Sequence, residues 1–159
     1  MTVMKVDYVN PFVVACRSVL KQVVKVEPEL GRVTARPRIF TTQQCNILAG
    51  IAGHIEGQVI FGMSLITADR LATQMLGHPV VTFDQMAASA ITELGNMIAG
   101  NAVTLLADAG FPAQITPPTI IRGTNVRVST LDIPALSIPM AVGDLGDLEV
   151  NVSLRERRK

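Results

Sequence analysis

Glu93 and Asn96 stand three positions apart in the segment ITELGNMIAGNAVTLL, a spacing that sets a carboxylate and a carboxamide within ~60° of each other on a helix. A carboxylate can clasp a cation, and an amide can accept and donate at once, so such a pair can fix a visiting charge and hold a water molecule. The pattern ExxN constrains only two of four positions, and a solvated helix face carries the same residues. His54 and Glu56 could share a strand face, but two residues make a poor metal site. Cys16 and Cys45 have no CxxC partner and lie in apolar stretches, which suits packed, reduced thiols better than a metal site or a staple. No glycine-rich phosphate loop, HExxH or nucleophile elbow is present.

The helix that must position the pair is the long one. Asp84 opens it, and it runs through QMAASAITELGNMIAGNAVTLLADA to Gly110, with Pro112 and the Pro117, Pro118 pair beyond. At ~100° per residue, Ala87, Ile91, Leu94, Ile98 and Leu105 form the side pressed on a sheet. Glu93 and Asn96 lie on the opposite half, exposed together. Ser89, Gly100, Thr104 and Ala107 share their stripe, which is therefore bare of long side chains. Gly100 costs a helix interior ~1 kcal/mol relative to alanine. Two explanations stand open: close approach of another protein's backbone, or packing inside this one, for instance against the first helix.

The remaining elements follow from periodicity and punctuation. Asn10 and Pro11 read as cap and first-turn residue of a helix whose apolar face is Phe12, Cys16, Val19, Leu20 and Val23, ended by Pro28. From about 32 to 63 the period is two and three strands fit, with Pro37 pushing the first to an edge. TADRLATQMLGHP predicts a helix of about three turns, capped by Thr67 and stopped by Gly77. The final third returns to strands: Thr119 to about Val128, then Leu136, Ile138, Met140 and Val142 on one face. After the turn GDLGD, Leu148, Val150, Val152 and Leu154 alternate with Glu149, Asn151, Ser153 and Arg155 as a half-buried strand. The order is helix, three strands, two helices, three strands. This predicts α+β, a mainly antiparallel sheet covered by helices, in one domain over residues 1–159.

Composition bounds the function classes. A chain of 159 residues with 48% hydrophobic and 17% charged residues, and mean hydropathy +0.38, has enough apolar surface for a large core and excludes disorder. No run of ~18 or more apolar residues predicts a membrane span, the N-terminus does not read as a secretory signal, and the expected compartment is the cytoplasm. Net charge is +1. Without the terminal RERRK, read as a solvated, frayed end, the balance is −2, and no basic surface for nucleic acid is visible.

ITELGNMIAGNAVTLL resembles the signature helix of the CheX branch of the CheC, CheX and FliY response-regulator phosphatases. VNPFVVACRSVL resembles that family's opening helix, and PPTIIRG with IPMAVGDLGDLEVNVSL resembles its closing strands, so the likeness spans essentially the whole chain. It implies hydrolysis of the aspartyl phosphate of a CheY-like receiver. Glu93 would bind the receiver's active-site lysine and Asn96 would orient the attacking water, with Ser89, Gly100 and Thr104 on the partner-binding surface. No metal or cofactor of the protein's own is implied; divalent Mg is expected in the partner receiver. CheC-type members are similar to two such units in one chain. Of six glutamates here only Glu93 has an asparagine three positions on, which fits the CheX branch and implies a homodimer formed through the sheet. Asn101 also matches the motif region, but its projection points toward the buried side, where a structural amide is expected. The rival reading is a non-catalytic, dimeric adaptor, CheC-like or similar to flagellar switch components. A small-molecule binding domain has only the apolar composition in its favour.

Overall fold

The computed structural model describes residues 6–130 and 133–157. The first five residues and the last two of the basic tail lie outside that range. Helix α1 (Val6–Val23) is followed by strands β1 (Glu29–Leu30), β2 (Thr34–Arg36), β3 (Ile39–Thr41), β4 (Cys45–Gly53) and β5 (Ile55–Met63). Helices α2 (Leu65–Leu76) and α3 (Gln85–Asp108) come next. Strands β6 (Ala113–Ile115), β7 (Thr119–Arg122), β8 (Arg127–Ser129), β9 (Ala135–Ala141) and β10 (Asp147–Glu156) complete the order. The sequence of helix, strands, two helices, strands is the one expected. Among the described residues each strand run holds five strands rather than three, the extra pieces being two to four residues long. Pieces that short carry too few residues for an alternation to register.

Eight strands form an antiparallel sheet in the order β1-β9-β10-β5-β4-β6, with β2 also beside β9 and β7 also beside β4. The core lies between one face of this sheet and the helices. Phe61, Val59 and Met63 of β5, Ile47 of β4 and Val150 and Val152 of β10 meet Phe12, Cys16, Leu20, Ile91, Leu94 and Ile98 there. The opposite face is not simply solvated. Strands β3 and β8 pair with each other across it, and Phe40 packs on Ile60 and Ala135 with Leu48 and Val128 around them. Asn151 and Ser153, expected on an open face, are consequently 1% and 2% exposed. The Asn151 amide donates to Glu149 Oε2 at 3.0 Å, and the Ser153 hydroxyl donates to the Ile133 carbonyl at 3.0 Å. Arg155, expected in a frayed tail, belongs to β10 and bonds Glu56 at 3.3 Å.

Local signals set the helix ends, with two corrections. The α1 helix does not start at Asn10: Pro11 lies inside it. Tyr8 and Val9 are buried one turn earlier, and the Tyr8 ring meets Phe111 edge-on at 5.1 Å. Burying an aromatic ring and a valine outweighs the hydrogen bond that proline cannot donate. The cap of α2 is Ser64, not Thr67; the Ser64 hydroxyl accepts from the Thr67 backbone N–H at 3.1 Å. Gly77 ends α2 in the left-handed region, at φ 76°. Asp84 caps α3 as expected, its Oδ1 accepting from the Ala87 N–H at 2.9 Å.

Candidate functional site

Helix α3 crosses the sheet with Ala87, Ile91, Leu94 and Ile98 buried. Leu105, placed on the sheet face by its projection, is only half-buried and instead lines a groove of about 430 Å³ with Asp7, Asn10, Pro11 and Val14 of α1. Its neighbour Leu106 is the fully buried residue. Small residues explain the difference. Gly95, Ala99 and Ala102 are buried, and a Cβ built on Gly95 would stand 2.6 Å from Ile47 Cγ2 on β4. The glycine lets the helix backbone settle onto the strand. Along the second half of α3 the buried arc, now Ile98, Ala99, Ala102 and Leu106, is rotated by roughly 70° from that of the first half, taking 100° per residue. Asn101 is therefore exposed, contrary to its expected place on the buried side, and its amide donates to the Met97 carbonyl at 2.8 Å.

Glu93 is exposed and Asn96 half-exposed on the face turned away from the sheet. Their surroundings separate them from an ordinary polar stripe. Thr92, Asn101 and Thr104 each fold a donor back onto the carbonyl four residues earlier, at 2.8, 2.8 and 3.1 Å. Among the described residues, the Glu93 carboxylate and the Asn96 amide make no such bond and no ion pair. Both keep their full hydrogen-bonding capacity for something outside the chain. Ser89 and Thr104 are exposed on the same stripe. Gly100 is half-exposed, and a Cβ built on it meets nothing within 4 Å. Of the two explanations for that glycine, internal packing is removed; the close-packed glycine of this helix is Gly95. The sequence carried a sign of it, since Gly95 also interrupts a helix interior, but on the apolar side where a missing side chain draws no notice.

The electrostatics are sparse. Glu93 and Asp108 are the only charged residues in the 24 residues of α3, and none is basic. The site is a ridge, not a cavity. A hollow of about 610 Å³ lies elsewhere, near the ends of β9 and β10 beside the first turn of α2, lined by Glu29, Ser64, Asp147 and Glu149 among others. A ridge with free polar groups suits a macromolecular surface better than a small molecule, which needs enclosure.

The other residues with chemical potential are not brought to this ridge. His54 sits at the turn between β4 and β5, 3.8 Å from Glu156, while Glu56 bonds Arg155. Cys16 and Cys45 are free and buried, and burial raises their pKa from 9.0 to about 12 and about 11, so neither is a poised nucleophile. Among the described residues, no group of three or more His, Cys, Asp or Glu side chains could hold a metal ion. No helix among them is long and apolar enough to cross a membrane.

Relatives carry the same architecture. Residues 46–141 match the family described as Chemotaxis phosphatase CheX. Over 148 residues the chain is 30% identical to the CheY-P phosphatase CheX of Thermotoga maritima, an alignment covering 92% of this chain and 95% of that protein. It is similar, at 35% identity and TM-score 0.82, to a chain of the CheX-CheY-BeF3-Mg2+ complex from Borrelia burgdorferi, covering 96% of this chain and 100% of that one. A CheC-like superfamily protein from Shewanella sp. PV-4 shares the fold at TM-score 0.86 and 23% identity, with 96% and 99% covered. With a family match over more than half its length and a 30% identical relative along nearly all of it, the chain belongs to the chemotaxis phosphatase CheX family.

Proposed function

We propose that this protein hydrolyses the aspartyl phosphate of a CheY-like response regulator, Glu93 seating the receiver and Asn96 orienting the attacking water. The observation that carries the reading is the pair itself: a carboxylate and an amide, exposed on one helix face and unbonded within the chain, beside a glycine with open space above it.

The chemistry asks little of the protein. Water attacks phosphorus in line, the bond from phosphorus to the aspartyl oxygen breaks, the receiver's carboxylate leaves with that electron pair, and the water's extra proton passes to solvent or phosphate. Such a step is accelerated by position and charge stabilisation rather than by covalent help. The receiver's own metal ion and lysine supply the charge. The Mg2+ in the Borrelia burgdorferi complex supports placing the divalent ion in the partner's site rather than on this chain. Glu93, clasping that lysine, fixes the docking register. The Asn96 amide then accepts from and donates to the water at a defined angle. Ser89, Gly100 and Thr104 keep the ridge low enough for Asn96 to enter.

Residues 1–159 act in this reading as one cytoplasmic phosphatase unit that pairs with a second copy through the sheet. The edge at β2, with Leu30 and Val33 exposed nearby, supports that pairing. The test is to time phosphate release from a panel of phosphorylated CheY-like receivers in Mg2+, with wild-type protein and Asn96→Ala. Acceleration by the wild type and loss of about 10²-fold or more in the variant, with an unchanged melting temperature, is the expected result. Binding of a receiver without acceleration would instead establish the adaptor, and a fully active Asn96→Ala would remove the water-orienting role.

A further inference from the structure

The exposed face of α3 does not end at the pair. Met86 is 55% exposed and lies seven residues before Glu93, only about 20° away around the helix axis. Among the exposed large hydrophobic residues described, it is the one that α3 contributes. Met97, four residues after Glu93, is half-buried on the adjoining line. A helix face kept in water ordinarily mixes acids and bases, whereas this one offers a methionine, small residues, uncharged amides and a single carboxylate before Asp108 at its last residue. Depletion of charge together with enrichment in methionine is the composition of an interface core, and methionine adapts its shape to a partner at little cost.

Resting on the reading that Glu93 and Asn96 face a receiver, we propose that Met86 is a second anchor for that receiver, seating in an apolar recess of it and setting affinity rather than turnover. The occupant follows from size. At 1.5 Å per residue Met86 lies roughly 13 Å along the helix from the midpoint of the pair, and Thr104 roughly 14 Å the other way. An interface of ordinary extent covers ~800 Å² per partner, a disc of roughly 16 Å radius. A protein centred on Glu93 and Asn96 therefore reaches Met86. Ser89, between them, leaves nothing tall to hold the two surfaces apart.

The experiment measures kcat and KM for Met86→Ser and Met86→Leu with the receiver that the wild type dephosphorylates fastest, alongside Asn96→Ala and sedimentation of each variant. Met86→Ser should raise KM roughly three- to tenfold with kcat nearly unchanged, and Met86→Leu should restore KM, because an apolar side chain of similar volume fills the same recess. An unaltered KM in Met86→Ser, with Asn96→Ala inactive, overturns the anchor and leaves the phosphatase reading standing. Activity in Asn96→Ala overturns that reading instead. A changed oligomeric state in Met86→Ser would assign this face to a second copy of the chain and likewise overturn the anchor.

Discussion

Gly95 and Gly100 occupy one helix, five residues apart, and the structure gives them opposite consequences on substitution. Alanine in place of either removes the same backbone entropy cost, about 1 kcal/mol in favour of the helix. At Gly100 the added Cβ meets nothing within 4 Å, so that gain survives. At Gly95 the Cβ would lie 2.6 Å from Ile47 Cγ2 and 3.1 Å from Ile47 Cβ, and Ile47 is itself fully buried and unable to withdraw. Overpacking of that kind costs about 1–3 kcal/mol. Gly100→Ala should raise the melting temperature by about 2–4 °C, the shift that 1 kcal/mol produces in a chain of this size. Gly95→Ala should fall below Gly100→Ala by about 1–3 kcal/mol in denaturant unfolding. Gly100→Leu then separates stability from function: it keeps most of the helix gain, yet raises a branched side chain on the ridge beside Asn96. Calorimetry and timed phosphate release are run on the same preparations. A Gly100→Leu protein that is no less stable than wild type and has lost turnover is the expected outcome. One that turns over at the wild-type rate shows that no partner backbone approaches there, and one that unfolds shows that the open space is filled in solution.

Glu93→Ala should raise KM and lower turnover with little effect on stability, because an exposed, unbonded carboxylate contributes almost nothing to folding; a variant altered in neither constant has no docking carboxylate. Asp84→Ala removes the hydrogen bond to the Ala87 N–H and should cost about 1 kcal/mol, read as a lower midpoint in urea. The buried thiols predict a sign for pH. Burial raises Cys16 from 9.0 to about 12, and raises Cys45 to about 11 against an opposing pull from Arg122, so each thiol binds its proton more tightly when folded. Their contribution is complete below pH 9, where both states are protonated, and is lost as pH climbs toward 11 to 12. The urea midpoint should therefore fall above pH 9, less steeply in Cys16→Ala measured against its own neutral-pH value; equal slopes would contradict the buried assignment.

The parts of this protein that a linear reading captured are those coded by neighbours in the chain. Asp84 and Gly77 announce helix ends because capping and left-handed stops are satisfied within four residues. The outward direction of Glu93, Asn96, Ser89 and Thr104 follows from helical period alone, and the family resemblance of that segment follows from the residues themselves. Asn10 and Pro11 misled because the burial of Tyr8 against Phe111, about a hundred positions away, extends the helix through a proline. Asn101 misleads because side-chain size does not mark the buried face of this helix: Gly95, Ala99 and Ala102 lie on it by being small. Asn151 and Ser153 look like the open side of a strand until Phe40 of β3 is seen packed on Ile60, the residue paired with Asn151, and the Ile133 carbonyl is seen accepting from Ser153. Sequence by itself determined the three helices, the longer strands and which residues carry the candidate chemistry, since these rest on local period and side-chain type, whereas strands of two to four residues were beyond its reach. Only the tertiary structure decided that Gly95 is packed and Gly100 open, that the pair is left without bonds, and how far the bare ridge extends, because each depends on contacts between segments far apart in the chain.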